Sequence, residues 1–462
     1  MPGRSVPSQQ LPGLVDGVAE PACGRPAGMA GGRGAAAAAR ALALLLLPRA
    51  GGSPAGNGYQ SNKVRLPRWP PSYSMRRSTL FMPCNYSGWH DVAEALQYGL
   101  VSYDWANAQV LWSNAAPVND EALLTAQADK LVAADRSGGV RVGVYRNTIK
   151  AFNWFGSIVQ EKLDDPRYAG WFVQFKDCEG ARSNLSYDPP ACTLSKCSCA
   201  WHDHAGQLDG GTQDCGKSPC GGYVFDHRNA TFSEWFVNEF IISNHTILRP
   251  GVSELYLDDR VELWGIAEAE GNFLRDTGLT PHDMHDLKSA FESTMERVYD
   301  RIVELGSFAW QMLYDGPFVL PRYFDNGTRD PQGDVAPSAC SQELRRFCQP
   351  DSTAARRALA YTRNPSPDNA SVQGEQYLIL FLLTRGEYAW IGYDYRGCKT
   401  QWYPRPREWD VDYGEPMGNC WETGAGSNVF VRRWTKASVR WDCNAGTGRM
   451  DSSAAPAPSL VV

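Results

Sequence analysis

The 462-residue sequence lacks an apolar run long enough to cross a bilayer, which requires about 20 residues. Residues 41–47 are apolar throughout but form only a short segment, so no stable membrane span is predicted. The sequence also lacks a long basic block, and its formal net charge is −6. A nucleic-acid partner is therefore not expected.

Several catalytic and nucleotide-binding motifs are missing as well. No G-x-G-x-x-G follows a strand-like run and no G-x-x-x-x-G-K-[ST] occurs, so neither a dinucleotide-binding sheet nor a P-loop is indicated. No G-x-S-x-G occurs, so an α/β-hydrolase triad has no candidate nucleophile. No cofactor is predicted.

The N-terminal region, residues 1–70, is predicted to be a leader and a disordered linker. Residues 41–47 suit the apolar core of a signal peptide, and small residues follow at 50–53. Met29 would be a suitable start, because Arg33 and Arg40 then supply the basic region. Residues 29–55 therefore predict secretion, with 1–28 as an additional presequence or an untranslated part. An Ala-rich disordered leader and an organelle transit segment are the alternatives.

Cysteine usage agrees with export. One of the 13 cysteines, Cys23, precedes the predicted cleavage, which leaves an even number for disulfides. Six N-x-[ST] sequons are compatible with a glycoprotein. The remaining cysteines are Cys84, Cys178, Cys192, Cys197, Cys199, Cys215, Cys220, Cys340, Cys348, Cys398, Cys420 and Cys443. The sequons are at Asn85, Asn184, Asn229, Asn244, Asn326 and Asn369.

From about residue 75 the sequence alternates between strand-like and helix-like segments, which predicts βαβ units and a parallel sheet. About eight units indicate an α/β fold, a (β/α)8 TIM-barrel-like domain over residues 75–445, with a doubly wound sheet as the rival. Predicted strands are 78–82, 101–105, 140–145, 170–175, 223–226, 255–259, 308–313 and 377–383. Predicted helices are 94–100, 120–134, 149–163, 232–242 and 287–305.

Two irregular insertions are predicted in the barrel, a cysteine-rich one at 177–222 and a second at 314–369. Residues 428–434 and 438–441 predict a small C-terminal β element, and 446–462 a disordered tail. Within the first insertion lies the segment CSCAWHDH, residues 197–204. It contains two thiols and two imidazoles, but the spacing matches no zinc motif well, so disulfides are the preferred interpretation.

Carboxylates follow several of the predicted strands, at the barrel edge where catalytic residues lie. Glycoside hydrolysis requires two carboxyl groups, one to protonate the leaving oxygen and one to attack or to activate water. A structural role is the alternative for individual residues: Asp226 and Asp259 could pair with Arg228 and Arg260, or cap helices. The acids are Asp104, Asp226, Asp258, Asp259 and Asp315.

Aromatic residues are dense near the same strand ends. Their rings could stack on the apolar faces of sugars, and core packing is the alternative for any one of them. The residues are Trp105, Trp112, Trp154, Trp264, Trp310, Tyr314, Trp390 and Tyr393.

Several segments resemble a largely uncharacterised family of secreted glycoside-hydrolase-type TIM barrels of algae, fungi and related eukaryotes. The two most specific are FDHRN, residues 225–229, and LDD, residues 257–259, in that order. Others are LVSYDWAN at 100–107, VYRN at 144–147, TGLT at 277–280, FAW at 308–310, GEPMGNC at 414–420, VFVRRW at 429–434 and DCN at 442–444. Relatives often have an aromatic residue after the two acids, where this chain has Arg260.

The resemblance implies a barrel and a carbohydrate substrate. Asp258 is the implied nucleophile or base, Asp104 and Asp226 compete for the second carboxyl role, and Asp259 is a further candidate. The implied sugar-binding residues are Tyr145, Arg146, Asn147, His227, Arg228, Trp105 and Trp310.

Three functions stay open from the sequence. The first is an O-glycosidase with a two-carboxylate mechanism, the second a carbohydrate-binding pseudoenzyme. The third is a metal-dependent hydrolase built on Asp104, Asp226 and Asp258. Because consecutive strand residues point to opposite faces, we expect the partner of Asp258 on another strand and not at Asp259.

Overall fold

The computed structural model describes residues 65–113, 119–152, 154–158, 162, 165–176, 200–203, 222–259, 270–311, 322–323, 329–330, 335–349, 359–362, 370–393, 395–399 and 402–452. The strands are β1 Thr79–Phe81, β2 Leu100–Tyr103, β3 Arg141–Asn147, β4 Lys150–Phe152, β5 His202–Asp203, β6 Gly222–Val224, β7 Glu254–Asp258, β8 Phe308–Gln311, β9 Arg322–Tyr323, β10 Arg329–Asp330, β11 Leu359–Thr362, β12 Ala389–Gly392, β13 Trp421–Glu422, β14 Val429–Arg433, β15 Ala437–Asp442 and β16 Thr447–Ser452. The α-helices are Val92–Ala95, Gln109–Ser113, Asp120–Ala134, Gly156–Ile158, Ala230–Trp235, Glu270–Thr277, Pro281–Glu304, Pro337–Cys348 and Ala370–Thr384.

The main sheet has seven strands in the order β11-β12-β1-β2-β3-β7-β8, and all its pairings are parallel. The sheet is strongly curled. As a result, the rings of Trp310 on β8 and Trp390 on β12 lie with their centroids 5.5 Å apart across the inner face. The predicted α/β class is confirmed. Among the described residues the sheet is an open, curled one, and a closed (β/α)8 barrel is not shown.

Strand alternation gives this sheet two distinct faces. On the concave face, Ser102 and Trp310 both donate hydrogen bonds to the buried carboxylate of Glu254. Gly143 lies opposite Glu254, and a Cβ at that position would overlap the Glu254 side chain, so this close approach requires glycine. On the convex face, Tyr103 contacts Gln127 of the helix Asp120–Ala134.

Two long helices match predicted ones, the first at its predicted start and the second beginning six residues before the predicted residue 287. The helix Asp120–Ala134 has Asn119 as its N-cap, whose side chain accepts a bond from the Ala122 N–H. The helix Pro281–Glu304 begins with a capping box between Thr280 and Asp283.

Four secondary-structure predictions are wrong. The predicted strand 170–175 overlaps the 3₁₀-helix Pro166–Trp171 and otherwise forms only isolated bridges, and the predicted helix 94–100 ends at Ala95. Residues 377–383, predicted as a strand, lie in the helix Ala370–Thr384, because a short continuous apolar run suits a buried helix as well as a buried strand. Residues 149–163, predicted as one helix, contain strand β4 and the short helix Gly156–Ile158.

The predicted irregular segments are also partly ordered. The segment 314–369 contains the helix Pro337–Cys348 and β11, which pairs with β12 in the main sheet. The predicted tail 446–462 contains β16, which pairs with β15 along its whole length. The strands β11 and β16 are short or polar runs with little hydrophobic pattern, and pairing with a neighbouring strand stabilises them. Of the predicted insertion 177–222, only residues 200–203 and 222 are described.

A C-terminal antiparallel sheet, β13-β14-β15-β16, confirms the predicted β element. Its strands pack against the helix Ala370–Thr384. Disulfides Cys340–Cys443 and Cys348–Cys420 tie the helix Pro337–Cys348 to this sheet. A third, Cys84–Cys398, joins the segments after β1 and β12, at the carboxyl edge of the main sheet. The other six cysteines of the predicted framework, and the predicted leader, lie outside the described residues.

Candidate active site

Four of the predicted site residues meet at the carboxyl ends of β3 and β7. Asp258 is the last residue of β7 and is paired in register with Asn147, the last residue of β3. Tyr145 lies two residues earlier on β3, so its side chain shares the concave face with Asn147. Asp259 follows at once, and both residues are of intermediate burial.

The Asp258 carboxyl group accepts two hydrogen bonds. The Tyr145 hydroxyl donates to Oδ2 at 2.8 Å, and the backbone N–H of Asp259 donates to Oδ1 at 3.0 Å. Burial, followed by the nearby charge of Asp259, raises the pKa of Asp258 to about 7, although the Tyr145 hydrogen bond opposes the shift. The group is thus set to exchange a proton near neutral pH.

Asp259 lies next to Asp258 in space as well as in sequence, contrary to the expectation from strand alternation. The strand ends at Asp258, and Asp259 adopts a left-handed conformation with φ of 62°. The Thr148 Oγ1 lies 2.9 and 2.8 Å from the carbonyl oxygens of the two residues, which share its one hydroxyl proton, and this contact stabilises the turn. Because the strand ends at Asp258, alternation between faces does not apply to Asp259. Both acids therefore belong to one site.

Asn147 joins the two acids. Its Nδ2 donates to the Tyr145 hydroxyl at 3.0 Å and to Asp259 Oδ2 at 2.8 Å. Its Oδ1 accepts from the backbone N–H groups of Ile149 and Lys150, at 3.0 and 2.7 Å. These backbone donors fix the orientation of the amide.

Asp104 lies near this group from β2. Its side chain is fully buried, and Oδ1 accepts from the Ala106 N–H at 2.7 Å, which begins a turn after the strand. Its charge is one of the influences that raise the pKa of Asp258. The structure thus places Asp104 close enough to act electrostatically, but in a buried position.

Asp226 lies apart from the other acids. Its carboxylate makes two hydrogen bonds of 2.8 Å with Arg228, which also lies 3.7 Å from Asp283. The residue follows β6, which belongs to a separate antiparallel sheet, β4-β6-β5, and not to the main sheet. The structural alternative considered for Asp226, pairing with Arg228, is the arrangement observed.

His227 packs behind the site. Its Nε2 lies 2.9 Å from the carbonyl oxygen of Thr148, and rings of Phe232, Phe236 and Phe291 surround it. Burial lowers the pKa of His227 to about 4, so its ring is neutral at physiological pH. His227 therefore supports the Thr148 turn and does not reach the carboxyl groups directly.

Arg146 lies on the convex face of the sheet. Its side chain is fully buried, 3.2 Å from the Glu121 carboxylate, and it donates to the carbonyl oxygens of Tyr145 and His245. Burial lowers the pKa of this guanidinium group. The side chain joins β3 to the helix Asp120–Ala134 and is not grouped with the carboxyl pair.

The described aromatic candidates occupy three positions, and in one of them Tyr393 packs against Tyr403 and Trp409. Trp105, which follows Asp104, stacks on Trp154 with ring centroids 4.6 Å apart, and Trp154 stacks on Phe152 at 4.5 Å. Trp105 is partly exposed, so this stack reaches the surface. Trp310 is buried against Trp390. Among the other acids and aromatics considered, Trp264, Tyr314 and Asp315 lie outside the described residues.

Two contributing residues were missed from the sequence, Glu254 and Thr148. Glu254 is fully buried on the concave face, and burial raises its pKa to about 7. The available signal was a carboxylate at the start of a strand that is otherwise apolar. Thr148 had no sequence signal, because its role depends on the left-handed turn at Asp259.

The metal-binding alternative has no ligand group in the described part of the chain. There, no set of three or more His, Cys, Asp or Glu side chains is arranged to hold a metal ion. Of the three acids in that alternative, Asp226 is ion-paired with Arg228. In the same residues, no helix combines the length and apolar character of a membrane span.

No family model and no curated protein matches this sequence. Similar solved structures include the glycoside hydrolase domain of PelA from Pseudomonas aeruginosa, at 11% identity and TM-score 0.31, covering 69% of this chain and 95% of that chain. The debranching enzyme of Nostoc punctiforme is 11% identical with TM-score 0.40, covering 82% and 88%. An inactive double mutant of MUTB is 11% identical with TM-score 0.34, covering 69% and 65%. These values are too low to support an argument about function.

Proposed function

We propose that this protein is a glycoside hydrolase that cleaves O-glycosidic bonds with Asp258 and Asp259 as its two carboxyl groups. One observation carries the proposal: two adjacent acids, both partly exposed as residues, lie at the carboxyl end of a strand inside a curled parallel sheet. Burial and the charge of Asp259 raise the pKa of Asp258 to about 7. A carboxyl group with that pKa is protonated in part of the population at neutral pH and can act as an acid.

The reaction follows from the charges of the pair. The protonated carboxyl group gives its proton to the glycosidic oxygen as the bond to the anomeric carbon breaks. The ionised carboxylate stabilises the positive charge that develops on the sugar, or takes a proton from the attacking water. Water supplies the hydroxyl group of the product, and its other proton restores the acid.

The stack of Trp105, Trp154 and Phe152 supports a carbohydrate as the substrate. Trp105 directly follows Asp104, so the stack begins close to the strand ends that carry the acids. Stacked aromatic rings give a rigid, flat surface that suits the apolar face of a sugar ring. In this proposal Trp105 forms a subsite next to the carboxyl pair.

Asp259→Asn tests the function. In a panel of soluble polysaccharides and oligosaccharides, we expect the unmodified protein to release reducing ends. The variant should be slower by about 10²-fold or more, because the anion beside the acid is lost. The rate at which reducing ends are released should be measured over a range of pH, because the loss of the Asp259 charge also lowers the pKa of Asp258.

Asp129→Asn is the matched control. Asp129 is an exposed Asp on the helix Asp120–Ala134, paired with Arg249 at the surface. Removing a surface ion pair changes stability by less than about 1 kcal/mol, so hydrolysis should stay at the unmodified rate. Binding of glycans by the unmodified protein without any product would instead identify the carbohydrate-binding alternative.

We also propose that the protein is secreted. Three disulfides, Cys84–Cys398, Cys340–Cys443 and Cys348–Cys420, support this, because disulfides persist mainly in oxidising compartments. N-terminal sequencing of the protein recovered from the culture medium should give a start shortly after residue 50. Retention inside the cell with residues 29–55 intact would contradict the proposal.

A further inference from the structure

The C-terminal sheet β13-β14-β15-β16 has one covered face and one open face. Phe430 and Trp441 are buried on the covered face, which packs against the helix Ala370–Thr384. A Cβ at Gly448, opposite Trp441, would lie too close to Ile379 of that helix, so the two layers are in tight contact. Alternation along the strands sends the intervening residues to the open face, where side chains are exposed or half-buried.

The pairing of the strands aligns four residues in one row across the open face. Trp421 of β13 is paired with Val431 of β14. Val431 is paired in turn with Arg440 of β15, and Arg440 with Arg449 of β16. Paired residues point to the same face, so the row spans three strand spacings, about 14 Å. Arg433 lies two residues after Val431 and shares this face.

An aromatic and a thioether side chain lie exposed at one end of the row. Trp421 is 42% exposed, and the guanidinium group of Arg433 lies over its ring, 5.8 Å from the ring centroid. Met417 is 68% exposed, and its N–H donates to the Arg433 carbonyl oxygen, which holds it beside the same strand. The segments GEPMGNC and VFVRRW, which the proposed function does not use, supply Met417 and Arg433. Grouped exposed apolar side chains of this kind mark binding surfaces.

The charges on the open face differ from those of the whole chain. Three exposed guanidinium groups, those of Arg433, Arg440 and Arg449, share the face with the carboxylates of Asp442 and Asp451. Asp442 is ion-paired with Arg440 at 3.2 Å, whereas Arg433 and Arg449 form no ion pair with the described residues. Because the formal net charge of the chain is −6, this face is a local site for an anion on a protein that otherwise repels anions.

Two disulfides hold the open face in shape. Cys348–Cys420 and Cys340–Cys443 join the residues that flank β13 and β15 to the helix Pro337–Cys348. Cys420 directly precedes Trp421, so the backbone at the exposed ring is fixed at that end. A surface that is already rigid loses little conformational entropy when it binds.

We infer that the open face of β13-β14-β15-β16 binds a polysaccharide that bears carboxylate groups, at a site separate from the carboxyl pair. The inference goes beyond the proposed function, because it requires no cleavage. Trp421 stacks on the apolar face of a sugar ring. The guanidinium groups along the row bind sugar carboxylates as planar, two-pronged donors. Asp442 and Asp451 disfavour a polymer with a charge on every unit, such as a nucleic acid.

Binding to polygalacturonate coupled to beads tests the inference. We expect the unmodified protein to bind these beads and not beads of neutral dextran. Binding should weaken as salt is added, because salt screens exposed charges. In Trp421→Ala the Kd should rise about tenfold, since the stacking surface is lost. Trp421→Phe keeps an aromatic ring and should restore part of the affinity.

Arg440→Gln/Arg449→Gln tests the charged part of the row. The loss of two guanidinium groups should raise the Kd by about tenfold or more and reduce its dependence on salt. Arg167→Gln/Arg301→Gln is the matched control, because it removes two exposed arginines that are each ion-paired within their own segment elsewhere in the chain. This control should keep the affinity of the unmodified protein.

The outcomes separate this inference from the proposed function. Equal losses in the two double variants would show that net charge alone governs binding and would overturn the inference. Tighter binding to dextran sulfate or to single-stranded DNA than to polygalacturonate would overturn it as well. Binding that depends on Trp421 and the arginines supports the inference even if no glycan is cleaved. Cleavage of a glycan by a protein that does not bind polygalacturonate would overturn it and leave the proposed function intact.

Discussion

Asp258→Asn should lower hydrolysis by about 10³-fold, because the variant has no proton to give to the leaving oxygen. The same change should leave the free energy of unfolding at pH 8 unchanged or raise it. Asp258 has a folded-state pKa of about 7, above its ordinary value of 3.8. Its stabilising contribution is therefore complete at low pH and is lost as the pH rises through 7. The neutral amide avoids that loss.

Loss of activity with retained stability would distinguish a catalytic role of Asp258 from a structural one. Urea unfolding at several pH values, with hydrolysis measured on the same preparations, gives both quantities. A variant that loses activity together with several kcal/mol of stability would assign Asp258 a structural role. In Asp129→Asn the free energy of unfolding should change by less than about 1 kcal/mol, and hydrolysis should stay at the rate of the unmodified protein.

The position of this acid could be predicted because strand ends are local features. The run that becomes β7 is apolar, follows a turn and ends on acids, and its neighbour β3 was predicted nearly to its bounds. Parallel strands bring their carboxyl ends to one edge, so a site could be expected there from the sequence alone. Tyr145 and Asn147, which the resemblance implies as sugar-binding residues, lie on β3 at that edge.

The relation between Asp258 and Asp259 could not be predicted in the same way. It depends on a left-handed residue held by Thr148, a conformation that nothing in the sequence Leu-Asp-Asp requires.

Asp226 illustrates a different limit of prediction from sequence. Its segment was predicted as a strand ending on an acid, but β6 ends at Val224, two residues before Asp226, and belongs to the antiparallel sheet β4-β6-β5. Sheet membership is decided by long-range pairing.

Arg146 shows how alternation decides function within one strand. Tyr145, Arg146 and Asn147 are consecutive, so the middle residue points away from its neighbours. The structure buries it against Glu121 on the convex face. The resemblance implied a common role for all three, whereas the period of the strand separates them.

Glu254→Gln should stabilise the protein at pH 8 by up to about 3 kcal/mol and make its stability less dependent on pH. Burial raises the pKa of Glu254 from its ordinary 4.5 to about 7, against the opposing bonds from Ser102 and Trp310. Between these values the folded state keeps a proton that the unfolded chain has lost. The free energy of unfolding therefore falls as the pH rises from 4.5 to 7.

A glutamine fits the same donors, because its oxygen can accept from Trp310 and its amide can donate to the Ser102 hydroxyl. The exposed residue Glu239 provides the control, since Glu239→Gln should leave the pH dependence of unfolding unchanged. Equal slopes of stability against pH for Glu254→Gln and the unmodified protein would contradict the assignment. A smaller slope of stability against pH in Glu254→Gln would identify Glu254 as a buried acid that lowers the stability of the protein. Glu254 lies on the same face of β7 as Asp258.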